Sequence, residues 1–224
     1  MEHLWIAIVL VSAGLQTARN AGQKHLSGRM SALSATWVRF GYGLPFACLY
    51  LAWAVIWFDL EIPALERDFL IPSAMAAFLQ VAGTVLLIFL FRLRNFAVGS
   101  TYVRSEVIVA AILGTAFFGE TIGMVGWTAI ILSVAGVVMI SVVRSGIGGT
   151  TFIGSAFNLS AGIGLMAGLV FALGSFFIRE ASLSFGHPNF ALTASVTLVT
   201  VITLQTVALG LYILVTRPSD FLTI

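Results

Sequence analysis

Charged side chains are scarce in this sequence of 224 residues: Asp, Glu, Lys and Arg make up 9% of it, whereas hydrophobic residues make up 59%. Globular domains carry about a quarter charged residues, because their surface faces water. Eleven basic and nine acidic residues could not cover a water-exposed surface of this size. The composition excludes a secreted domain, a cytosolic enzyme and a disordered tail, and it predicts a protein surrounded by lipid.

Residues for several kinds of chemical site are also missing. The single cysteine, Cys48, cannot form an intrachain disulfide. The histidines His3, His25 and His187 lie in predicted loops or ends, so the apolar runs hold neither a metal cluster nor an imidazole base. The only lysine, Lys24, is in a loop, and the sequence has no Walker loop and no G-x-S-x-G motif. We therefore predict no metal, no cofactor and no enzymatic activity.

Seven apolar runs follow one another along the chain. Each is near the ~20 residues that a helix needs to cross the hydrocarbon of a bilayer, and none alternates as a strand of a membrane barrel would. The residues before the first run include no Lys or Arg, so we interpret this run as a retained span and not as a cleaved signal. The predicted fold is an all-α integral membrane bundle of about seven transmembrane helices, at residues 4–18, 33–58, 70–91, 95–118, 123–143, 158–178 and 190–215.

The basic residues of the loops predict the orientation. Those after the odd-numbered spans would face the cytoplasm, which places the N-terminus outside. Only Arg67 and Arg179 lie on the opposite side. Because the basic residues are scattered, we predict no nucleic-acid partner. The cytoplasmic set is Arg19, Lys24, Arg29, Arg92, Arg94, Arg144 and Arg217.

Glycine, proline and small residues indicate how the helices pack. Small residues recur every fourth position in the sixth span, and we expect this stripe to pack against another helix of the bundle, with a dimer contact as the alternative. Gly41, Gly43 and Pro45 are predicted to bend the second span. The members of the stripe are Ala156, Ser160, Gly164, Gly168 and Ala172.

The segment NFAVGSTYVRSEVIVAAILGTAFFGETIGMVGWTAIILSVAGVVMIS, residues 95–141, resembles the end of an EamA-like repeat of the drug/metabolite transporter superfamily. Its shared features are the Gly119–Glu120 pair at the end of one helix and a glycine-bearing helix from Gly126. The second span, with Arg39 near its start, also resembles the family's second helix. One departure is that Val107 stands where relatives often have a proline after the glutamate.

The resemblance implies a domain organisation. Residues 1–145 would form a first repeat of five helices, 146–157 a linker, and 158–224 an incomplete second repeat of two helices. The expected whole is a ten-helix transporter of two inverted repeats, of which about three helices would be lacking here. The resemblance also implies a location in the bacterial cytoplasmic (inner) membrane.

Three charged residues lie within the predicted spans: Arg39, Arg104 and Glu106. A charge at mid-bilayer costs at least ~2.5–3.5 kcal/mol on insertion scales, so each needs a polar partner or a water-filled cavity. Positions 104 and 106 are ~200° apart around a helix, so we expect them to find different partners, with Arg39 facing Glu106. Two alternatives remain: a buried Arg39–Glu106 bridge, or a cavity in which an arginine holds an anion and Glu106 exchanges a proton.

These observations predict a secondary transporter, and specifically an exporter of small metabolites or drug-like molecules, with alternating access around a midplane site. A non-transporting sensor or partner subunit is the alternative, and it would have a packed interior. The expected partners are a small-molecule substrate, the lipid bilayer and, as an open possibility, a second copy of the chain. The candidate substrate-binding residues are Arg39, Arg104, Glu106, Gln16, Trp37, Tyr42, Gln80 and Tyr102.

Overall fold

A computed structural model describes residues 4–59, 61–93, 102–119, 121–145 and 159–221. Within these ranges the chain is helical and contains no strand, which confirms the predicted all-α class. The predicted linker at 146–157, together with Arg94 and Glu120, lies outside the described residues. The helices are α1 (Leu4–Leu26), α2 (Ala32–Gly41), α3 (Leu44–Phe58), α4 (Arg67–Leu93), α5 (Glu106–Phe118), α6 (Met124–Ser145), α7 (Leu159–Ser184), α8 (Phe190–Thr216) and α9 (Pro218–Phe221).

Four helical segments are long and apolar enough to cross a membrane: Ala32–Phe58, Arg67–Leu93, Gly162–Ser184 and Phe190–Thr216. The other three predicted spans overlap α1, α5 and α6, and residues 95–101 of the fourth span lie outside the described part of the chain. Of these, α5 has 13 residues, and the apolar part of α6 is Met124–Gly136. The protein is thus a multi-helix membrane bundle, while the crossing of the bilayer by α1, α5 and α6 stays a prediction.

The second span is interrupted between α2 and α3, where the bend was predicted. Ser31 caps α2 by accepting a 3.1 Å hydrogen bond from the Ser34 amide. The helix ends at Gly41, and a new helix begins at Leu44. Pro45 lies in the first turn of α3, where its missing N–H costs little. The interruption follows Arg39 by a few residues and so lies beside the charged part of this span.

The tightest packing is the α4–α7 interface, which contains the buried residues Leu87, Leu90, Phe91, Ala167 and Phe171. Dispersion between closely packed helices replaces the hydrophobic effect, which lipid does not supply. Small residues on α7 allow neighbouring backbones to approach it closely. The predicted packing role within the bundle is therefore confirmed for the buried residues Gly164, Gly168 and Ala172, whereas Ala156 and the side chain of Ser160 lie outside the described part of the chain.

One end of α1 is held to the bundle by polar contacts. The Lys24 ammonium donates to the carbonyl of Phe91, and Arg92 Nε donates to the carbonyl of Ser27 at 3.1 Å. Closer to its start, α1 is exposed: Ile8 and Leu10 keep 60% and 67% of their surface. Because α1 is held mainly near its C-terminal end, a space opens between its middle and the rest of the bundle.

Candidate functional site

That space is a cavity of about 860 Å³ between α1, α2, α4, α7 and the start of α5. We call it the first cavity. Its volume is within the range that suits a small-molecule ligand. It is lined by Ala7, Ile8, Val11, Ser12, Leu15, Gln16, Arg19, Asn20, Arg39, Gln80, Leu87, Val103, Arg104, Glu106, Phe171 and Ser175.

Five of the eight predicted site residues line the first cavity: Gln16, Arg39, Gln80, Arg104 and Glu106. They come from four different parts of the chain, on α1, α2, α4 and the beginning of α5. The structure therefore brings together the polar residues that the sequence placed inside separate apolar runs. Polar groups inside a bilayer are costly unless they face a cavity or a polar partner, and these residues do face a cavity.

Arg19 and Asn20 also line the first cavity, although neither was a predicted site residue. Arg19 was assigned to a loop because the first span was expected to end at residue 18, whereas α1 continues to Leu26. A signal was present in the sequence: Gln16, Arg19, Asn20 and Gln23 recur at helical spacing and share one face of α1.

The expectation that Arg104 and Glu106 would lie on opposite faces of one helix is wrong, because both line the first cavity. The physical reason is a turn at Arg104 and Ser105, directly before α5 begins at Glu106. There the Ser105 amide donates to the Tyr102 carbonyl at 3.2 Å, and the Val107 amide donates to the Arg104 carbonyl at 3.1 Å. This interruption occurs without the proline that relatives often carry at this point.

The charges of the first cavity are three arginines, Arg19, Arg39 and Arg104, against the single carboxylate of Glu106. Glu106 accepts a 3.5 Å hydrogen bond from the Ser175 hydroxyl, and it is attracted electrostatically by Arg104 and Arg39. Among the described residues, no salt bridge within 4 Å joins Glu106 to these arginines. The lining therefore carries an excess of two positive charges, which favours a negatively charged occupant.

A second cavity of about 790 Å³ adjoins the first, and Arg19, Arg39, Gln80 and Ser175 line both. The second cavity lies between α2–α3, α4, α7 and α8. Gln205 on its wall is 2% exposed, and its Nε2 has no hydrogen-bond partner among the described residues. The other lining residues are Phe40, Gly43, Tyr50, Ile178, Arg179, Ser182, Leu183, Phe190, Ala194, Thr197, Leu198, Val201 and Ile202.

The three predicted aromatic residues line neither of these two cavities. The Trp37 indole donates to the carbonyl of Thr206 at 3.0 Å and so joins α2 to α8. Tyr42 is 64% exposed in the turn between α2 and α3. Tyr102 packs against Gly164 of α7. In the structure these side chains lie at helix contacts or at the surface of the bundle.

Comparison with known proteins gives one match. The model of the EamA-like transporter family matches residues 1–142. None of the curated proteins and none of the solved structures compared with the chain matches it. The matched region contains all five of the predicted residues that line the first cavity, whereas Ser175 and Gln205 lie beyond it.

Proposed function

The chain belongs to the EamA-like transporter family, and we propose that it is a secondary exporter whose substrate binds in the first cavity. Members of this family are membrane transporters of small molecules and not enzymes. The chain has the helices of an integral membrane protein, four of which are long and apolar enough to span. Export, the coupling ion and the binding residues are our proposals.

The observation that carries the proposal is the charged cavity at mid-depth of the bundle. Gln80 is the middle residue of the 27-residue helix α4, and Ser175 lies within four residues of the middle of α7. Charged and polar groups in the middle of apolar helices are costly unless they serve a pathway or pair with one another. A packed interior, as expected of a sensor or partner subunit, would not leave about 860 Å³ beside these residues.

Alternating access would move the substrate between the two cavities. The cavities meet at Arg39, Gln80 and Ser175, and the second one extends to Tyr50, in the middle of α3, and to Phe190, at the start of α8. We propose that residues 1–145 form a first five-helix repeat and that α7 and α8 begin a second one. The substrate would then bind between the repeats, and rocking of one against the other would open each cavity in turn.

Glu106 is the proposed proton-exchanging group. It is the only carboxylate among the residues that line the two cavities, and it faces the arginines that would hold an anion. Binding of an anion beside Glu106 would favour protonation of its carboxylate, so transport of the substrate would be coupled to uptake of a proton. We further propose that the protein lies in the bacterial cytoplasmic membrane, with its N-terminus outside, as the loop charges favour.

The test is to measure proton uptake when amino acids and organic acids are added to the purified protein in detergent. We expect substrate-linked uptake in the wild type and its loss in Glu106→Gln, while binding persists. Glu180→Gln is the matched control, because Glu180 is exposed near the end of α7 and lines neither cavity. Binding without proton uptake in the wild type would remove Glu106 from the coupling path. No binding by any compound would favour the non-transporting sensor.

A further inference from the structure

We infer that the substrate is an amphipathic organic anion, with its acidic group in the first cavity and its apolar body in the second. This inference rests on the proposed function and specifies the substrate class that the same site accepts. Three features of the described residues carry it: the distribution of charge, the chemistry of the second cavity, and the shared wall between the two cavities.

The charges of both cavities favour an anion. Arg19, Arg39 and Arg104 contribute three positive charges to the first cavity, and Glu106 contributes the only negative one among the residues that line it. The second cavity has no carboxylate among its lining residues, so a cationic substrate would find no counter-charge there. An acidic group would instead meet guanidinium donors, which bind carboxylates and phosphates in a bidentate geometry.

The second cavity favours an apolar body. Its far wall consists of side chains such as Phe190, Leu198, Val201 and Ile202, which offer dispersion contacts and no hydrogen bonds. Polar side chains such as Ser182, Thr197 and Gln205 also line this cavity, and the buried Nε2 of Gln205 is without a partner in the described part of the chain. A buried amide donor without an acceptor costs free energy, and an acceptor atom on a bound ligand would relieve that cost.

The two cavities can hold one molecule because they share a wall. Arg39 and Gln80 line both, and Arg39 lies where the charged region meets the apolar one. A ligand whose acidic group contacts Arg39 can therefore extend its apolar body towards Ala194 and Phe190 without crossing a packed barrier. A compact hydrophilic molecule would fill the first cavity alone and would leave the second without an apolar occupant.

The experiment compares four compounds by calorimetric binding to the full chain in lipid nanodiscs. The acidic amphipath is 3-phenylpropanoate. The alcohol 3-phenylpropanol lacks the charge, 3-phenylpropylamine reverses it, and serine, a hydrophilic zwitterion, lacks the apolar body. We expect 3-phenylpropanoate to bind at least about tenfold more tightly than the alcohol and the amine, because a charge-assisted hydrogen bond contributes ~1.5–3 kcal/mol. Serine should also bind at least about tenfold more weakly, because it makes no apolar contacts in the second cavity.

Variants assign the two halves of the ligand to the two cavities. Arg39→Gln should weaken 3-phenylpropanoate binding by about 10- to 100-fold and leave the alcohol nearly unchanged. Ala194→Trp fills the second cavity and should weaken 3-phenylpropanoate by about tenfold or more, since the apolar body loses its space. Val207→Trp, on an exposed part of α8 that lines neither cavity, is the matched control and should bind as the wild type does.

The outcomes separate this inference from the proposed function. If serine binds and 3-phenylpropanoate does not, the site is a substrate site but the amphipathic class is wrong. If the alcohol or the amine binds as tightly as the acid, or if Ala194→Trp has no effect, the assignment of the two cavities is also wrong. Absence of binding by every compound would contradict the inference and the proposed function together. Should Ala194→Trp fail to fold, Leu183→Trp fills the same cavity from α7.

Discussion

The α4–α7 interface and the first cavity share two helices but are built in opposite ways. The interface consists of apolar side chains and glycine in close contact, such as Leu90, Phe91 and Gly83. The cavity contains the charges, among them Arg39 and Glu106, and about 860 Å³ of space. Leu87 and Phe171 belong to both regions, so the helix pair that packs closely along its apolar side chains also holds Gln80 beside the charged cavity.

This division follows from the properties of the bilayer. Apolar helices gain little from burying apolar surface in each other, so their association depends on close contact at small residues. Charged groups need polar partners or water, and they are found where the helices separate. The turn before Glu106 lies at the first cavity, and Gly43, in the break of the second span after Arg39, lines the second cavity. Four sets of substitutions test the contrast between the packed interface and the cavities.

The largest expected effect is the loss of the close contact at Gly168. A side-chain carbon there would overlap Ser105 Oγ and would lie 3.1 Å from the carbonyl oxygen of Val103. We expect Gly168→Leu to destabilise the protein by about 3 kcal/mol, because overpacking forces the backbones apart. Gly162→Leu is the control, since no atom lies within 4 Å of a carbon added at this position of the same helix.

The measurement for Gly168 is the thermal unfolding of the two variants in detergent, with the amount of folded protein as a second readout. Gly162→Leu should unfold close to the wild type. Equal unfolding temperatures for the two leucine variants would show that the close approach at Gly168 is not needed for the fold.

The next effect concerns Gln80, which lines both cavities from the middle of α4. Gln80→Leu should lower transport by about fivefold, because the substrate loses a neutral hydrogen-bonding partner worth ~1 kcal/mol and the shared wall becomes apolar. Phe78→Leu, on the same helix but 71% exposed, should transport as the wild type does. An equal loss in both variants would indicate damage to α4 and not to the site.

Gln205 is expected to lower the stability of the ligand-free protein and to strengthen the binding of substrate. Replacing its buried, unpartnered amide by leucine should raise the free energy of unfolding of the ligand-free protein by about 1–2 kcal/mol, because a desolvated donor is removed. The same variant should bind substrates that carry an acceptor atom more weakly. Val207→Leu, which changes an exposed position of α8, should alter neither quantity. A less stable Gln205→Leu protein would mean that the amide is satisfied in the native state.

The smallest expected effects on stability come from the replacement of two serines of α7. Ser182 donates a 3.1 Å hydrogen bond to Thr193 of α8, whereas Ser175 donates a 3.5 Å hydrogen bond to Glu106 across the cavity. Ser182→Ala should lower stability by about 0.6 kcal/mol, the average for hydrogen bonds between membrane helices. Ser175→Ala should lower it less, because its bond is longer and partly exposed. Unfolding in a denaturing detergent checks both, and the reverse order would contradict the comparison.

The helices were predictable from the sequence because the bilayer sets their length. A run of apolar residues must be near 20 residues long to span, and each of the seven runs contains a helix in the described residues, although α5 has 13 residues. The interruption after Arg39 lies where two glycines and Pro45 predicted a bend. Three charged residues and two glutamines inside apolar runs predicted five residues that line the first cavity, because such residues must face a polar region.

The remaining parts depend on information that a single sequence does not contain. The turn at Arg104 has no proline signal, because Val107 stands at the position where one would show it. The contact between Trp37 and Thr206 joins residues 169 positions apart, so no local pattern reveals it. The second cavity was missed because its wall is largely apolar, and apolar residues on α3 and α8 look the same whether they face lipid or a cavity.

The proposed transport depends on a water-accessible cavity that reaches the middle of the bundle, and thiol labelling measures this access. The exposed Cys48 is first replaced by serine, and single cysteines are introduced as Ser175→Cys and Leu169→Cys. Both positions lie within four residues of the middle of α7, but only Ser175 lines the cavities. A charged thiosulfonate reagent in the buffer reacts with thiolates, which form only where water reaches the sulfur. We predict rapid labelling at position 175 and little at 169; equal rates at the two positions would contradict the claim.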